Sequence, residues 1–143
     1  MSSIQKTILI IDDQKSFRKI YRDSLENQGY TIIEAENGVA GLDTLKKSSH
    51  VDMVILDIAM PLKSGIEVLT EIRQSDKFSK LPVIVLSVFD ERVRFYDEVM
   101  KLGVSAYVVK GRGTLDELVV HINTILGGGK SGWQPATVSH ELP

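Results

Sequence analysis

The sequence predicts an α/β fold in which a five-stranded, doubly wound parallel sheet carries helices on both faces. Five short apolar runs alternate with segments of helical periodicity, and the starts of these runs lie 24, 21, 30 and 24 residues apart. Each interval is long enough for one crossover helix and for little else. The runs are continuously apolar rather than alternating, which is typical of strands that are covered on both faces.

The five predicted strands are short runs dominated by β-branched and aliphatic side chains. They are Thr7–Ile11, Thr31–Ala35, Asp52–Leu56, Pro82–Leu86 and Ala106–Val109. Because each pair of successive strands is separated by one helical segment, the strands are expected to run parallel and the helices to cover both faces of the sheet.

The first three helical segments carry signals for their ends. Gly29 follows the first segment and fits a helix C-cap. The apolar face of that segment has three- and four-residue spacing: Phe17, Ile20, Tyr21 and Leu25. Asn37 and Ser64 are suited to begin the second and third helices, because their side chains can accept a hydrogen bond from the first helical turn.

The last two helical segments are bounded in the same way. Asp90 predicts the start of the fourth helix and Gly103 predicts its end. The inner face of this helix is expected to consist of Val93, Tyr96, Val99 and Leu102. Thr114 and Glu117 have the spacing of a capping box at the start of the fifth helix.

Composition excludes several classes of protein. Lys and Arg number 17 against 19 Asp and Glu, a net charge of −2, which is unlike a stand-alone nucleic-acid-binding domain. Cysteine is absent, which excludes disulfides, thiolate metal sites and a Cys nucleophile. No apolar run approaches the roughly 18 residues of a membrane span, and the first residues lack the apolar core of a signal peptide. We therefore expect a cytoplasmic protein that does not engage a membrane.

The C-terminal end of the chain differs from the rest in composition and periodicity. Residues 127–132 have the composition of a flexible linker, and no period is visible from there to residue 143. We expect one folded domain at residues 1–126 and a flexible, Gly-rich tail at residues 127–143.

Polar side chains follow four of the five predicted strands. Asp12 and Asp13 come after the first strand, Asp57 after the third, Ser87 after the fourth and Lys110 after the fifth. The carboxyl ends of parallel strands meet at one edge of a doubly wound sheet, where ligands bind. The sequence therefore predicts three carboxylates, a hydroxyl and an ammonium group at one site.

The three carboxylates need a partner of opposite charge. Two like charges about 5 Å apart repel by roughly 3 kcal/mol at an effective dielectric constant of about 20. An oxygen-only ligand set of this kind suits Mg²⁺. A bound metal together with a lysine would serve an aspartate nucleophile that accepts a phosphoryl group. The simpler alternative for Asp12 and Asp13 alone is that they cap the following helix.

Two other nucleotide-binding patterns are missing from the first strand–helix turn. The turn has no GxGxxG and no GxxxxGK[ST], so it offers neither the dinucleotide cradle nor the P-loop.

The strand ends resemble those of the receiver domain of two-component response regulators. The resemblance covers residues 5–126 and rests on four motifs taken as a set. They are Ile10-Ile-Asp12-Asp13, Leu56-Asp57-Ile-Ala-Met60-Pro61-x-x-x-Gly65, Leu86-Ser87 and Tyr107-Val-Val-Lys110. The resemblance implies a flavodoxin-like sheet with strand order 2-1-3-4-5.

The resemblance also assigns a role to each residue of the site. It implies that Asp57 is the phosphoacceptor, and that Asp13, Asp57 and the backbone carbonyl of Ala59 bind Mg²⁺ while Asp12 acts through a bound water. By the same resemblance Ser87 binds the phosphoryl group and moves inward, and Tyr107 is the aromatic switch that rotates with it. Lys110 is expected to pair with a phosphoryl oxygen.

The chain departs from the usual pattern of this family at several positions. Gly111 follows the lysine where the family usually has proline, and Val88 follows Ser87 where a small residue is usual. The stretch from Ser87 to Lys110 is one residue longer than usual, so the fourth helix or the loop before it must absorb that residue. Pro61 and Gly65 are expected to shape the loop after Asp57, the glycine through an unusual backbone angle.

The function expected from the resemblance is that of a phosphoacceptor signalling switch and not of a turnover enzyme. Asp57 would receive a phosphoryl group from a histidine kinase or phosphotransfer protein. The altered surface of helix four, strand five and helix five would then engage a downstream target protein, or an output domain missing from this chain, without direct contact to nucleic acid.

Two alternatives remain open at this point. A phosphohydrolase of the haloacid dehalogenase type would carry an acidic residue two positions after the nucleophile, where this chain has Ala59. A docking module that works without phosphorylation would be free to lose Asp13 or Lys110, whereas this chain retains the complete set.

Overall fold

The computed structural model describes residues 5–48, 50–60, 62–90, 92–111 and 113–127. In this part of the chain five parallel strands form one sheet in the order β2-β1-β3-β4-β5, as predicted. The strands are β1 Thr7–Ile11, β2 Thr31–Ala35, β3 Met53–Asp57, β4 Val83–Ser87 and β5 Ala106–Val109. β3 and β4 begin and end one residue later than predicted, so Asp57 and Ser87 are themselves the last residues of their strands.

Helices cover both faces of the sheet because consecutive strand residues point to opposite sides. The helices are α1 Lys15–Asn27, α2 Gly38–Lys47, α3 Gly65–Gln74, α4 Tyr96–Lys101 and α5 Thr114–Leu126. Ile8 and Ile10 of β1 face the core under α1 and α5. Leu9 and Ile11 face the core under α2, α3 and α4. The doubly wound α/β class is therefore confirmed.

The residues predicted to bound the first three helices lie at the helix ends as expected. Asn37 Oδ1 accepts a hydrogen bond from the Ala40 N–H at 2.8 Å, and Ser64 Oγ accepts one from the Glu67 N–H at 3.3 Å. Gly29 lies just past the end of α1 with φ +100°, the left-handed conformation that favours glycine at a helix exit.

The prediction for the start of α4 is wrong. The helix begins at Tyr96 and not at Asp90. Asp90 Oδ1 accepts the Arg92 N–H at 2.9 Å and the Asp90 carbonyl accepts the Val93 N–H at 3.1 Å, so the segment forms turns instead of a helix. The loop before α4 thus holds the residues that the sequence pattern assigned to its first turns.

Two smaller expectations also fail. Thr114 is the first residue inside α5 and not its N-cap, because its Oγ1 accepts the Gly111 N–H at 2.6 Å and Gly113 takes the cap position with φ +86°. Ile20, predicted on the apolar face of α1, is 51% exposed.

Two further predictions concern the C-terminal tail and the absence of a membrane-spanning segment. α5 ends at Leu126, where Gly127 adopts φ +68°; residues 128–143 of the expected tail lie outside the described residues. None of the helices in the described ranges has the length and apolar character needed to cross a lipid bilayer.

Candidate functional site

The predicted site residues lie together at the carboxyl edge of the sheet. Asp12 follows β1, Asp57 ends β3, Ser87 ends β4 and Lys110 follows β5. Asp57 is paired in register with Leu86 and Ser87 with Val109, which brings the ends of β3, β4 and β5 to one level. Asp12, Asp57 and Ser87 are buried, and they are among the few buried polar residues of the described chain.

The Lys110 ammonium joins two of the carboxylates. Its Nζ lies 3.0 Å from Asp12 Oδ2 and 3.3 Å from Asp57 Oδ2, and the lysine side chain is 5% exposed. Gln14 Oε1 lies 3.5 Å from the same nitrogen, and the ring centroid of Phe17 lies 4.8 Å away. The lysine is therefore enclosed by two carboxyl groups, an amide oxygen and an aromatic face.

Asp12 is fixed from several sides. Its Oδ1 accepts the Gln14 N–H at 2.9 Å, and its carbonyl accepts a hydrogen bond from Arg18 Nη1 at 2.6 Å. Arg18 also pairs with Glu34 of β2, Nε to Oε1 at 3.1 Å. Both carboxylate oxygens of Asp12 thus have a donor, whereas Asp13 is exposed at the rim of the site.

The electrostatic balance at Asp57 favours retention of a proton. Burial and the negative charge of Asp12 raise the pKa of the Asp57 carboxyl to about 7, although the Lys110 ammonium and the Ala59 N–H favour its ionised form. The Ala59 N–H donates to Asp57 Oδ1 at 3.2 Å. Burial together with Asp12 and Asp57 also raises the pKa of Tyr21 to about 12. The site therefore has an excess of negative charge that a cation would relieve.

The donor set fits a hard divalent cation. Asp12, Asp13 and Asp57 each present a carboxylate oxygen, and these three oxygens lie within 4.8 Å of one another. Oxygen-only sets of this size suit Mg²⁺. The backbone at Ala59 lies against the same cluster through its bond to Asp57.

One residue, Phe89, connects the Ser87 hydroxyl to Tyr107. Ser87 Oγ accepts the Phe89 N–H at 3.0 Å, and the Phe89 carbonyl accepts the Tyr107 hydroxyl at 2.7 Å. The Tyr107 ring in turn lies edge-on to Tyr96, the first residue of α4, with ring centroids 4.9 Å apart. Val88, which lies between Ser87 and Phe89 in the sequence, is 61% exposed.

The loop after Asp57 is shaped by close packing. A Cβ at Gly65 would lie 2.5 Å from the Asp57 carbonyl oxygen and 2.5 Å from Ile58 Cα, so only glycine fits. The expectation that Gly65 supplies an unusual backbone angle is wrong. In the described chain the non-glycine residue with positive φ is Leu62, at φ +71° and 81% exposed.

The chain matches one protein family over most of its length. The family model of the response regulator receiver domain matches residues 8–123. The chain belongs to this family. Receiver domains are signalling proteins of two-component systems that interact with histidine kinases and downstream targets, and an aspartate phosphorylation site with Mg²⁺ is standard among them.

The chain is also similar to individual response regulators. It is 32% identical over 110 residues to the polar-differentiation response regulator DivK of Brucella anthropi, which covers 73% of this chain and 84% of that protein. The structure of the response regulator TrrA of Thermotoga maritima in complex with Mg²⁺ and BeF is 33% identical with a TM-score of 0.74, over 85% of this chain and 99% of that one. The chemotaxis protein CheY4 of Vibrio cholerae, at 22% identity and a TM-score of 0.77, shares the fold over 85% of this chain and 98% of its own.

Several contacts of the site were not expected from the sequence. Gln14 and Arg18 bind Asp12, and Phe17 faces Lys110. All three lie within six residues of Asp12 along the chain, Gln14 at the N-cap of α1 and the other two in its first turns, so the start of α1 brings them near Asp12. No sequence pattern predicts the link from Ser87 to Tyr107, because it is formed by the backbone atoms of Phe89.

Proposed function

We propose that Asp57 is the phosphoacceptor of this receiver domain, and that it takes a phosphoryl group from a phosphohistidine of a kinase or phosphotransfer protein. The observation that carries this proposal is the placing of Asp57: it is 4% exposed, belongs to the three-carboxylate cluster and lies 3.3 Å from the Lys110 ammonium. A nucleophile, a cation and a cluster of hard ligands are thus within reach of one another.

The transfer is a displacement at phosphorus. A carboxylate oxygen of Asp57 attacks, the bond from phosphorus to the donor nitrogen breaks, and its electron pair remains on the imidazole. Lys110 is suited to compensate the charge on the phosphoryl oxygens, because its ammonium already lies beside the attacking carboxylate. The catalytic contribution of this site is therefore positioning and charge compensation.

We infer that Asp13 and Asp57, with the carbonyl of Ala59, hold Mg²⁺ and that Asp12 acts through a water. Mg²⁺, when bound, supplies charge neutralisation and polarises the phosphoryl group. The assignment is supported by the occupation of both Asp12 oxygens, one by the Gln14 N–H and one by Lys110, while Asp13 is exposed.

Ser87 and Tyr107 would carry the signal outward. We expect the Ser87 side chain to move inward when it binds a phosphoryl oxygen on Asp57, and its Oγ then leaves the Phe89 N–H. The backbone of Phe89 is then free to move, and the Phe89 carbonyl is the acceptor of the Tyr107 hydroxyl. Because Tyr107 contacts Tyr96, we expect the surface of α4, β5 and α5 to change and to engage a target protein or an output domain.

The test is labelling with acetyl phosphate in the presence of Mg²⁺, followed by mass spectrometry. We expect one base-labile phosphoryl group on Asp57 and none on an Asp57→Asn variant. Asp43→Asn, which removes an exposed carboxylate of α2, is the matched control and should be labelled like wild type. Labelling of Asp57→Asn at the wild-type rate would refute the assignment, and absence of labelling in wild type would favour the docking module.

A second arm addresses the hydrolase alternative. Ala59, in the position where that class carries an acid, offers a backbone N–H to Asp57 and no acidic side chain. We therefore expect any turnover of small phosphoesters to be no faster than the slow loss of the phosphoryl group from Asp57. Rapid, continuous turnover would contradict a signalling role for the site.

A further inference from the structure

The Phe17 ring stands out among the groups around the Lys110 ammonium because it carries no charge and no ligand oxygen. Its centroid lies 4.8 Å from Lys110 Nζ, within the range of a cation–π contact. The lysine side chain is 5% exposed, so this contact forms in a largely dry site, where such contacts are strongest. Phe17 is itself held by Tyr21, which is buried and stacks on it at 5.9 Å with an interplanar angle of 18°.

The lysine needs a contact that does not depend on the carboxylates. In the structure the ammonium binds Asp12 and Asp57, and both belong to the cluster that fits a divalent cation. Carboxylate oxygens that bind a divalent cation attract the lysine less, and that cation itself repels the lysine. A buried ammonium without a partner is costly. The face of an aromatic ring attracts a cation whatever the charge state of the neighbouring acids.

We propose that Phe17 is a positioning residue, whose ring holds the Lys110 ammonium beside Asp57 when the carboxylates are otherwise engaged. The placement follows from the fold: Phe17 lies in the first turn of α1, directly after the loop that carries Asp12 and Asp13. The connection from β1 to α1 thus supplies the acids, and the first turn of α1 supplies the ring. The consequence for phosphorylation rests on the proposed function, whereas the contact between ring and ammonium does not.

The contact is tested first in metal-free protein by a double-mutant cycle. Phe17→Leu, Lys110→Met and the double variant are unfolded in urea with EDTA, and the unfolding equilibrium constants are compared. Leucine keeps an apolar side chain at position 17 and removes the ring. We expect the effects of the two changes to be non-additive by at least threefold, since contacts of this kind are worth about two- to thirtyfold.

The chain offers a matched control for this cycle. Lys77 Nζ lies 5.3 Å from the ring centroid of Phe78, and Lys77 is exposed. The cycle of Phe78→Leu with Lys77→Met should be additive within about twofold, because an exposed cation is solvated by water. Phe17→Tyr, which retains an aromatic ring, should keep the coupling to Lys110. Additivity of the Phe17–Lys110 cycle within about twofold would overturn the proposal.

The positioning role is tested by the rate of labelling with acetyl phosphate. We expect Phe17→Leu to slow labelling about three- to tenfold while the Kd for Mg²⁺ stays within about twofold, and Phe17→Tyr to label at close to the wild-type rate. In a Lys110→Met background, Phe17→Leu should have no further effect. A slowing of the same size in that background would show that Phe17 acts by packing alone and would overturn the proposal. Coupling in the metal-free cycle without any labelling of wild type would refute the proposed function and support the contact.

Discussion

Replacing Asp57 by asparagine should stabilise the metal-free protein, and the gain should grow as the pH rises from about 4 to about 7. Burial and the charge of Asp12 raise the pKa of Asp57 from 3.8 to about 7 in the folded chain. Below the lower value the carboxyl is neutral in both states. Between the two values the unfolded chain releases the proton and the folded chain keeps it, so the free energy of unfolding of wild type falls with rising pH. Above about 7 the penalty is constant.

The size of the effect follows from the shift. A rise of the pKa from 3.8 to about 7 corresponds to an upper limit of about 4 kcal/mol. Relaxation of the site and entry of water reduce this figure. We therefore expect the free energy of unfolding of Asp57→Asn to exceed that of wild type by roughly 2 to 4 kcal/mol at pH 8. At pH 5 the difference should be less than half as large, because most of the range between the unfolded and folded pKa values of Asp57 then lies above the pH of measurement.

The measurement is urea unfolding at pH 5, 6, 7 and 8 in EDTA, followed by far-ultraviolet circular dichroism. Asp43→Asn, whose carboxylate is 58% exposed, controls for the loss of one negative charge and should change the free energy of unfolding by less than about 0.5 kcal/mol at each pH. Mg²⁺ at pH 8 should stabilise wild type and narrow its difference from Asp57→Asn. An equal difference at pH 5 and pH 8 would refute the assignment of the buried negative charge to Asp57.

Three further outcomes follow from the contacts of the site. Gly65→Ala should lower the free energy of unfolding by about 2 kcal/mol or more, because the new Cβ would lie 2.5 Å from backbone atoms; thermal unfolding measures this, and a loss under about 0.5 kcal/mol would contradict it. Asp13→Asn should weaken Mg²⁺ binding in calorimetry more than Asp12→Asn, since Asp12 is already bound by Lys110, and equal losses would refute the ligand assignment. Val88→Ala should speed both labelling by acetyl phosphate and loss of the phosphoryl group, because the exposed, stiff valine directly follows Ser87, and unchanged rates would show that it does not restrict access.

Much of the sheet and its helices could be predicted from the sequence because the signals are local. Apolar runs located all five strands to within one residue. The runs of β1, β3 and β4 have few polar positions, because these strands are buried on both faces. The caps at Asn37 and Ser64 were found because each side chain bonds to an N–H three residues ahead. The convergence of Asp12, Asp57, Ser87 and Lys110 at one edge follows from parallel strand order alone.

The contacts of the site could not be found by the same means. The bond from Tyr107 to the Phe89 carbonyl depends on where a loop places its backbone, and no side-chain pattern encodes that position. The roles of Thr114 and Asp90 were misread for a related reason. Both side chains bond to backbone N–H groups close by in sequence, at Gly111 and at Arg92, and such bonds compete with helix capping.

The late start of α4 affects how a conformational change at Ser87 would be transmitted to this helix. The C-terminal end of the helix is held by Arg73, whose guanidinium donates to the carbonyls of Leu102 at 2.7 Å and Gly103 at 3.1 Å. The same guanidinium donates to the Leu81 carbonyl at 2.8 Å, which ties this end of α4 to the loop before β4. The N-terminal end has a side-chain contact instead, the edge of Tyr96 against Tyr107. A displacement of Tyr107 therefore acts on the end of α4 that Arg73 does not hold, and we expect the helix to pivot about its C-terminal turn.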